Sequence, residues 1–196
     1  MKVGLLGAMA ALAAFPALAA DGPSFDCGKV EAGSIEALVC GDAGLSALDR
    51  QLATVFAAAK ARAGNEHPAV LVPEQRGWIK GRDDCWKATD PKACVADAYR
   101  QRIVELQARY RLVEAKGPFS FVCGDSPADE VTVTYFATEP SSLIAERGDQ
   151  TSLMLVAPSG SGARYVGRNE SFWEHQGEAT VVWGYGAPEL RCRLRP

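Results

Sequence analysis

RLVEAKGPFSFVC, residues 111 to 123, is where the chain changes its period. Upstream of Gly117-Pro118 the apolar residues recur at intervals of three and four, and downstream they alternate at two. The first spacing is the stripe of an amphipathic helix, and the second is the pleat of a half-buried strand. The segment therefore divides an all-helical N-terminal part from an all-strand C-terminal part.

Before the divide, Leu45, Leu48, Leu52, Val55, Phe56 and Ala59 mark one face of a helix between Gly44 and Ala63. Val95, Tyr99, Ile103, Leu106, Tyr110 and Val113 mark another, with Asp90 as its N-cap and Pro91 in its first turn. Pro73 to Trp86 reads as a third helix with Trp78 and Ile79 turned inward, and Ser34 to Cys40 as a short first one. Trp78 and Trp86 are read as packing residues. Asp83-Asp84 resembles a pair of catalytic carboxylates, but adjacent residues do not share a helix face, so they are expected to cap, to pair with Arg82 or to face solvent.

After the divide, eight short runs separated by turn residues read as strands: 119–123, 131–136, 142–146, 152–157, 164–166, 171–174, 179–183 and 190–193. Eight is enough to close a small barrel. The expected fold is a disulfide-stapled all-α domain over residues 21–116, followed by an all-β antiparallel barrel over 117–196.

The first twenty residues carry Lys2, an apolar run, Pro16 and the small-residue site Ala17-Leu18-Ala19. They read as a secretory signal cleaved after Ala19 or Ala20, which places the mature protein in a bacterial periplasm. The first cysteine is Cys27, so no lipid-modified cysteine is expected at the cleavage point and no membrane anchor remains. Cys27, Cys40, Cys85, Cys94, Cys123 and Cys192 are six cysteines in an exported chain, best read as three disulfides. Cys123 on the first strand and Cys192 on the last would staple the sheet. The other four allow three pairings, of which Cys27 with Cys40 and Cys85 with Cys94 are the local ones. There is no CxxC, and neither His67 nor His175 stands at ligand spacing from a cysteine pair, so no metal and no cofactor are expected.

Charge is unevenly divided. Residues 21–116 hold 14 acids and 14 bases, net zero, and residues 117–196 hold 10 acids and 6 bases, net −4. A surface of that sign disfavours nucleic acid and favours a basic partner. Ser161, His175 and an acid would suffice for a nucleophilic triad, but there is no GxSxG elbow, and no catalytic residue is assigned.

The loop Ser159-Gly160-Ser161-Gly162-Ala163-Arg164-Tyr165, then Phe172-Trp173 and Gly177-Glu178-Ala179, resembles the MliC family of inhibitors of c-type lysozyme, over Phe121 to Cys192. Residues 25–112 resemble the LprI family of exported helical domains. That likeness runs through Phe25-Asp26-Cys27, Leu48-Asp49-Arg50, Gln75-Arg76-Gly77-Trp78-Ile79, Arg82-Asp83-Asp84-Cys85 and Tyr99-Arg100-Gln101-Arg102-Ile103.

The MliC resemblance implies an eight-stranded antiparallel barrel whose Ser-Gly loop enters the lysozyme cleft, where a serine hydroxyl, here Ser161, meets the catalytic carboxylates. Such a cleft keeps two carboxyl groups about 5 to 5.5 Å apart, so only a thin backbone reaches between them, which suits Gly160 and Gly162. Arg164 and Tyr165 are expected to brace the loop base or touch the rim, and Phe172 and Trp173 to support the loop from the barrel. The family pattern places a basic residue, usually lysine, fourteen positions after the serine, and this chain has His175 there. A histidine is charged only in part near neutral pH. The implied partner is c-type lysozyme, a basic protein. A non-inhibitory module that binds peptidoglycan or an envelope protein is the alternative.

Overall fold

The structure is a computed structural model that describes residues 22–124 and 129–196. The signal segment expected at residues 1–20, with its cleavage point, lies outside the described residues.

The helical part has four helices: α1 (Ile35–Gly41), α2 (Ala43–Arg62), α3 (Leu71–Asp83) and α4 (Pro91–Arg109). Local chemistry starts three of them. The side chains of Ser34, Asp42 and Asp90 accept from the backbone N–H of Ala37, Leu45 and Ala93 at 3.1, 2.9 and 3.0 Å. Each satisfies one of the donors a helix start leaves orphaned. The expected stripes then meet in one core of Ile35, Val39, Leu45, Leu52, Ala59, Leu71, Val95, Tyr99, Ile103 and Leu106.

Two expectations about α3 do not hold. Ile79 is 38% exposed rather than inward, because Leu71, Trp78 and Arg82 occupy the side of the helix that faces the core. Trp86 is 66% exposed, so packing does not account for it; it lies on the 3₁₀ turn Asp84–Lys87 that ends the helix, with Lys87 Nζ 5.4 Å from its ring centroid. The helix also begins two residues before Pro73, which sits within its first turn, where proline costs no hydrogen bond. Asp83 bonds the Arg82 guanidinium at 2.6 and 2.9 Å, and Asp84 pairs with Lys87. Arg82 is itself buried and also donates to the Tyr99 hydroxyl, which in turn donates to Asp49. Burial, with the Asp49 charge beside it, raises the Tyr99 phenol well above its usual range. This network is satisfied internally.

The strands are β1 (Ala115–Cys123), β2 (Glu130–Phe136), β3 (Ser142–Arg147), β4 (Gln150–Ala157), β5 (Ala163–Val166), β6 (Glu170–His175), β7 (Glu178–Trp183) and β8 (Glu189–Leu194). Each pairs antiparallel with the next, and β1 pairs with β8, so the barrel closes and keeps no free edge. The first strand takes in Ala115 and Lys116, which the sequence reading gave to the helical part. Phe121, Val131, Val133, Leu143, Ala145, Met154, Phe172, Ala179 and Val181 fill the interior.

The helical part takes the local pairing, Cys27–Cys40 and Cys85–Cys94, and the long-range bridge Cys123–Cys192 joins directly opposed residues of β1 and β8. Helix α4 meets the barrel at β3. The strict alternation of β2 fails near its end, where Thr134 and Phe136, on the face opposite the inward Val131 and Val133, are buried as well.

Candidate functional site

The connection from β4 to β5, residues 158–162, stands out from one end of the barrel and is held by three hydrogen bonds to main-chain carbonyls. The Ser159 hydroxyl reaches the carbonyls of Ser161 and Gly162 at 2.8 and 3.0 Å. The Trp173 indole N–H donates to the same Ser161 carbonyl at 2.8 Å. The loop is thus preordered by one of its own serines and one tryptophan from the next hairpin. The Ser161 side chain is exposed, and among the described residues its hydroxyl makes no hydrogen bond.

Gly162 makes this arrangement possible. It has φ +65°, and a Cβ there would lie 2.2 Å from the Glu174 carbonyl oxygen and 3.0 Å from the His175 Cβ. Only glycine lets β5 enter so close to β6. Gly160 has no atom within 4 Å of the corresponding position, so its missing side chain leaves open space at the loop tip.

The cross-strand register lays the outward side chains in rows. Arg164 pairs with Trp173, Trp173 with Thr180 and Thr180 with Arg191. One row nearer the β6–β7 turn, His175 pairs with Glu178 and Glu178 with Arg193. Trp173, 44% exposed, separates two grooves. Ser161, His175, Thr180, Arg191 and Arg193 line one. Ser159, Gly160, Arg164, Val182 and Glu189 line the other. The turn beside them holds Gln176 at φ +54° and Gly177 at φ +82°, with the Gly177 N–H donating to the Glu174 carboxylate at 3.2 Å.

Of the residues singled out from the sequence, Ser159, Gly160, Ser161, Gly162, Arg164, Trp173 and His175 therefore lie together at the surface. Ala163 packs against the barrel core from its edge. Phe172 is wholly internal, edge-on to Phe121 at 5.1 Å. Tyr165 does not reach the rim: it is 9% exposed, with its ring against Tyr135 at 5.7 Å. Burial, and then the Glu174 charge, raises its phenol above the usual range. Its ring belongs to the barrel core. Thr180, Arg191 and Arg193 reach the site through strand register and were not anticipated. Their outward parity on β7 and β8 was in the sequence, but which strands flank the loop was not.

Among the described residues no helix is long and apolar enough to cross a membrane. The model of the family described as membrane-bound lysozyme inhibitor of c-type lysozyme, MliC, matches residues 121–190, and that of lysozyme inhibitor LprI matches residues 27–106. Lipoprotein LprI of Mycobacterium tuberculosis H37Rv is 34% identical over 161 residues, covering 82% of this chain and 79% of its own. Lipoprotein LprI of Mycobacterium bovis matches with the same identity and coverage.

Proposed function

The chain belongs to the LprI family and carries lysozyme-inhibitor matches on both its helical and its barrel parts, and from that premise we propose that it inhibits c-type lysozyme by inserting the 158–162 loop into the active-site cleft. The family is a non-enzymatic class of lysozyme inhibitors, and its location is extracytoplasmic. The periplasm is the compartment we assign to this chain.

The observation that carries the proposal is the double hydrogen bond to the Ser161 carbonyl, which presents the Ser161 hydroxyl outward on a backbone already fixed in shape. A loop ordered in advance loses little freedom on binding. Retaining glycosidases hold their two carboxyl groups about 5 to 5.5 Å apart, a gap that admits main chain but few side chains. The Ser161 hydroxyl donates to the carboxylate there, the bare Gly160 lets the tip advance, and Ser159 and Trp173 keep it from folding back. His175, in the groove that Ser161 lines, adds a positive charge when protonated. Tyr165 and Phe172 act from inside the barrel as the loop's foundation. No cofactor takes part.

Hydrolysis of a bacterial cell-wall suspension by c-type lysozyme, titrated with the mature protein, tests this reading. Stoichiometric inhibition that a folded Ser161→Ala, Arg164→Ala variant loses supports it. Absence of inhibition by the unaltered protein at micromolar excess refutes it, as does full inhibition by the loop variant.

A further inference from the structure

The inhibitory reading above leaves part of the barrel's outer face unexplained. Residues 117–196 carry ten acids and six arginines, and three of the arginines are ion-paired among the described residues. Arg147 pairs with Asp129, Arg195 with Glu130 and Arg193 with Glu178, at 3.8, 3.1 and 3.6 Å. Arg164, Arg168 and Arg191 form no ion pair among the described residues. Arg168 lies apart beyond β5, whereas Arg164 and Arg191 stand in a single cross-strand row with Trp173 and Thr180 between them. Two unpaired guanidiniums thus flank a half-exposed indole on an otherwise acidic domain. Among the described residues no side chain of the barrel pairs with them.

Resting on the inhibitory reading, we propose that Arg191 is a second point of contact with lysozyme: its guanidinium grips a carboxylate at the edge of the cleft that Ser161 enters. The row Arg164–Trp173–Thr180–Arg191 is then the contact stripe beside the loop. The sign of the charges supports this. A net-negative domain attracts a basic protein from a distance, whereas the catalytic cleft itself is lined by carboxylates, so the surface that docks there must be locally positive. A guanidinium binds a carboxylate through two parallel hydrogen bonds and is already planar before binding. An exposed tryptophan beside it supplies the kind of large anchor that dominates protein interfaces.

Arg191 is favoured over Arg164 because of its neighbours. It shares a groove with Ser161 and His175, where the acid present among the described residues, Glu178, is already engaged by Arg193. Arg164 shares its groove with Glu189, which opposes an incoming carboxylate. The site therefore has a positive side, made of His175 and Arg191, on the Ser161 flank of Trp173.

The test compares inhibition constants of the full mature chain and its Arg191→Gln, Arg191→Lys, Ser161→Ala and Arg168→Gln variants, each with its melting temperature. Arg168 lies exposed beyond the other end of β5, so its replacement removes the same charge away from the stripe. Arg191→Gln is expected to raise the inhibition constant about 30-fold without lowering the melting temperature, because an interfacial carboxylate loses its partner. Arg191→Lys should recover part of the loss, and Arg168→Gln should change inhibition less than about threefold. Inhibition should also weaken less steeply with added salt in Arg191→Gln. If Arg191→Gln inhibits like the unaltered protein while Ser161→Ala does not, the contact is disproved and the loop reading stands. If Arg191→Gln and Arg168→Gln weaken inhibition equally, only net charge matters and the contact is again disproved. If the unaltered protein does not inhibit, both readings fall.

Discussion

Gly162 and Gly160 are two glycines of one loop with opposite reasons to be glycine. At Gly162 an added methyl meets the Glu174 carbonyl at 2.2 Å on a backbone at φ +65°. Gly162→Ala should therefore destabilise the barrel by about 2 kcal/mol or more, seen as a lower melting temperature, and abolish inhibition with it. At Gly160 the methyl meets nothing in the molecule. Gly160→Ala should leave the melting temperature within about a degree, since surface changes away from special features stay near ±0.5 kcal/mol, yet weaken inhibition if the tip enters a narrow cleft. An unchanged inhibition constant for a folded Gly160→Ala protein would show that the tip stays outside. Trp173→Phe keeps most of the ring but removes the indole N–H that donates to Ser161. Loss of that bond should cost about 1 kcal/mol of loop order, read as weaker inhibition with little change in global stability.

The helices carry their own pH dependence. Asp42 caps α2, and its carboxyl is held below the ordinary value by the hydrogen bond from Lys92 and then by the Leu45 N–H. The folded state thus holds this proton less tightly than the unfolded chain. The stability it contributes is present above the ordinary carboxylate value and is lost as pH falls through the folded one. Asp42→Asn should flatten the acid limb of the melting-temperature profile. Tyr110, the residue that ends α4, behaves in the opposite sense: burial, and then its hydrogen bond to Glu66, pushes its phenol up to about 12. Its contribution is complete below the ordinary value near 10 and is lost between there and about 12. Spectrophotometric titration of the phenols should show one component moving down toward 10 in Glu66→Gln.

The elements themselves were largely legible from sequence, because caps and periodicity are local. Ser34, Asp42 and Asp90 start their helices where a side-chain acceptor and an apolar stripe coincide. The eight strand runs agree with β1 to β8 to within a few residues at each end. The misreadings concern orientation. Ile79 and Trp86 were given to the core on hydrophobicity, although the core side of α3 was already filled by Leu71, Trp78 and the buried Arg82 network.

For the molecule as a whole, the cross-links differ by the chain length they close. Cys123–Cys192 spans 69 residues and Cys85–Cys94 spans 9. On loop-closure entropy, replacing the first pair by alanine should cost about 4 kcal/mol and the second about 2.5 kcal/mol. Thermal unfolding of the two double variants would check the order, and equal losses would mean that native packing rather than loop length sets the effect. Cys27 is bridged to Cys40, so it is not a free thiol for lipid attachment, although the mycobacterial relatives are named lipoproteins.

The sequence by itself determined the helical half, the strand half, the six-cysteine framework and the loop from Ser159 to Tyr165, since each is written in short-range spacing. Only the tertiary structure decided that Tyr165 points into the barrel while Arg164 and Trp173 point out, and that Arg191, thirty residues after Ser161, lines the same groove. Alternation says that neighbouring residues face opposite ways, but not which way is inward. That choice is made when the sheet closes, and closure joins residues whose proximity no local spacing encodes.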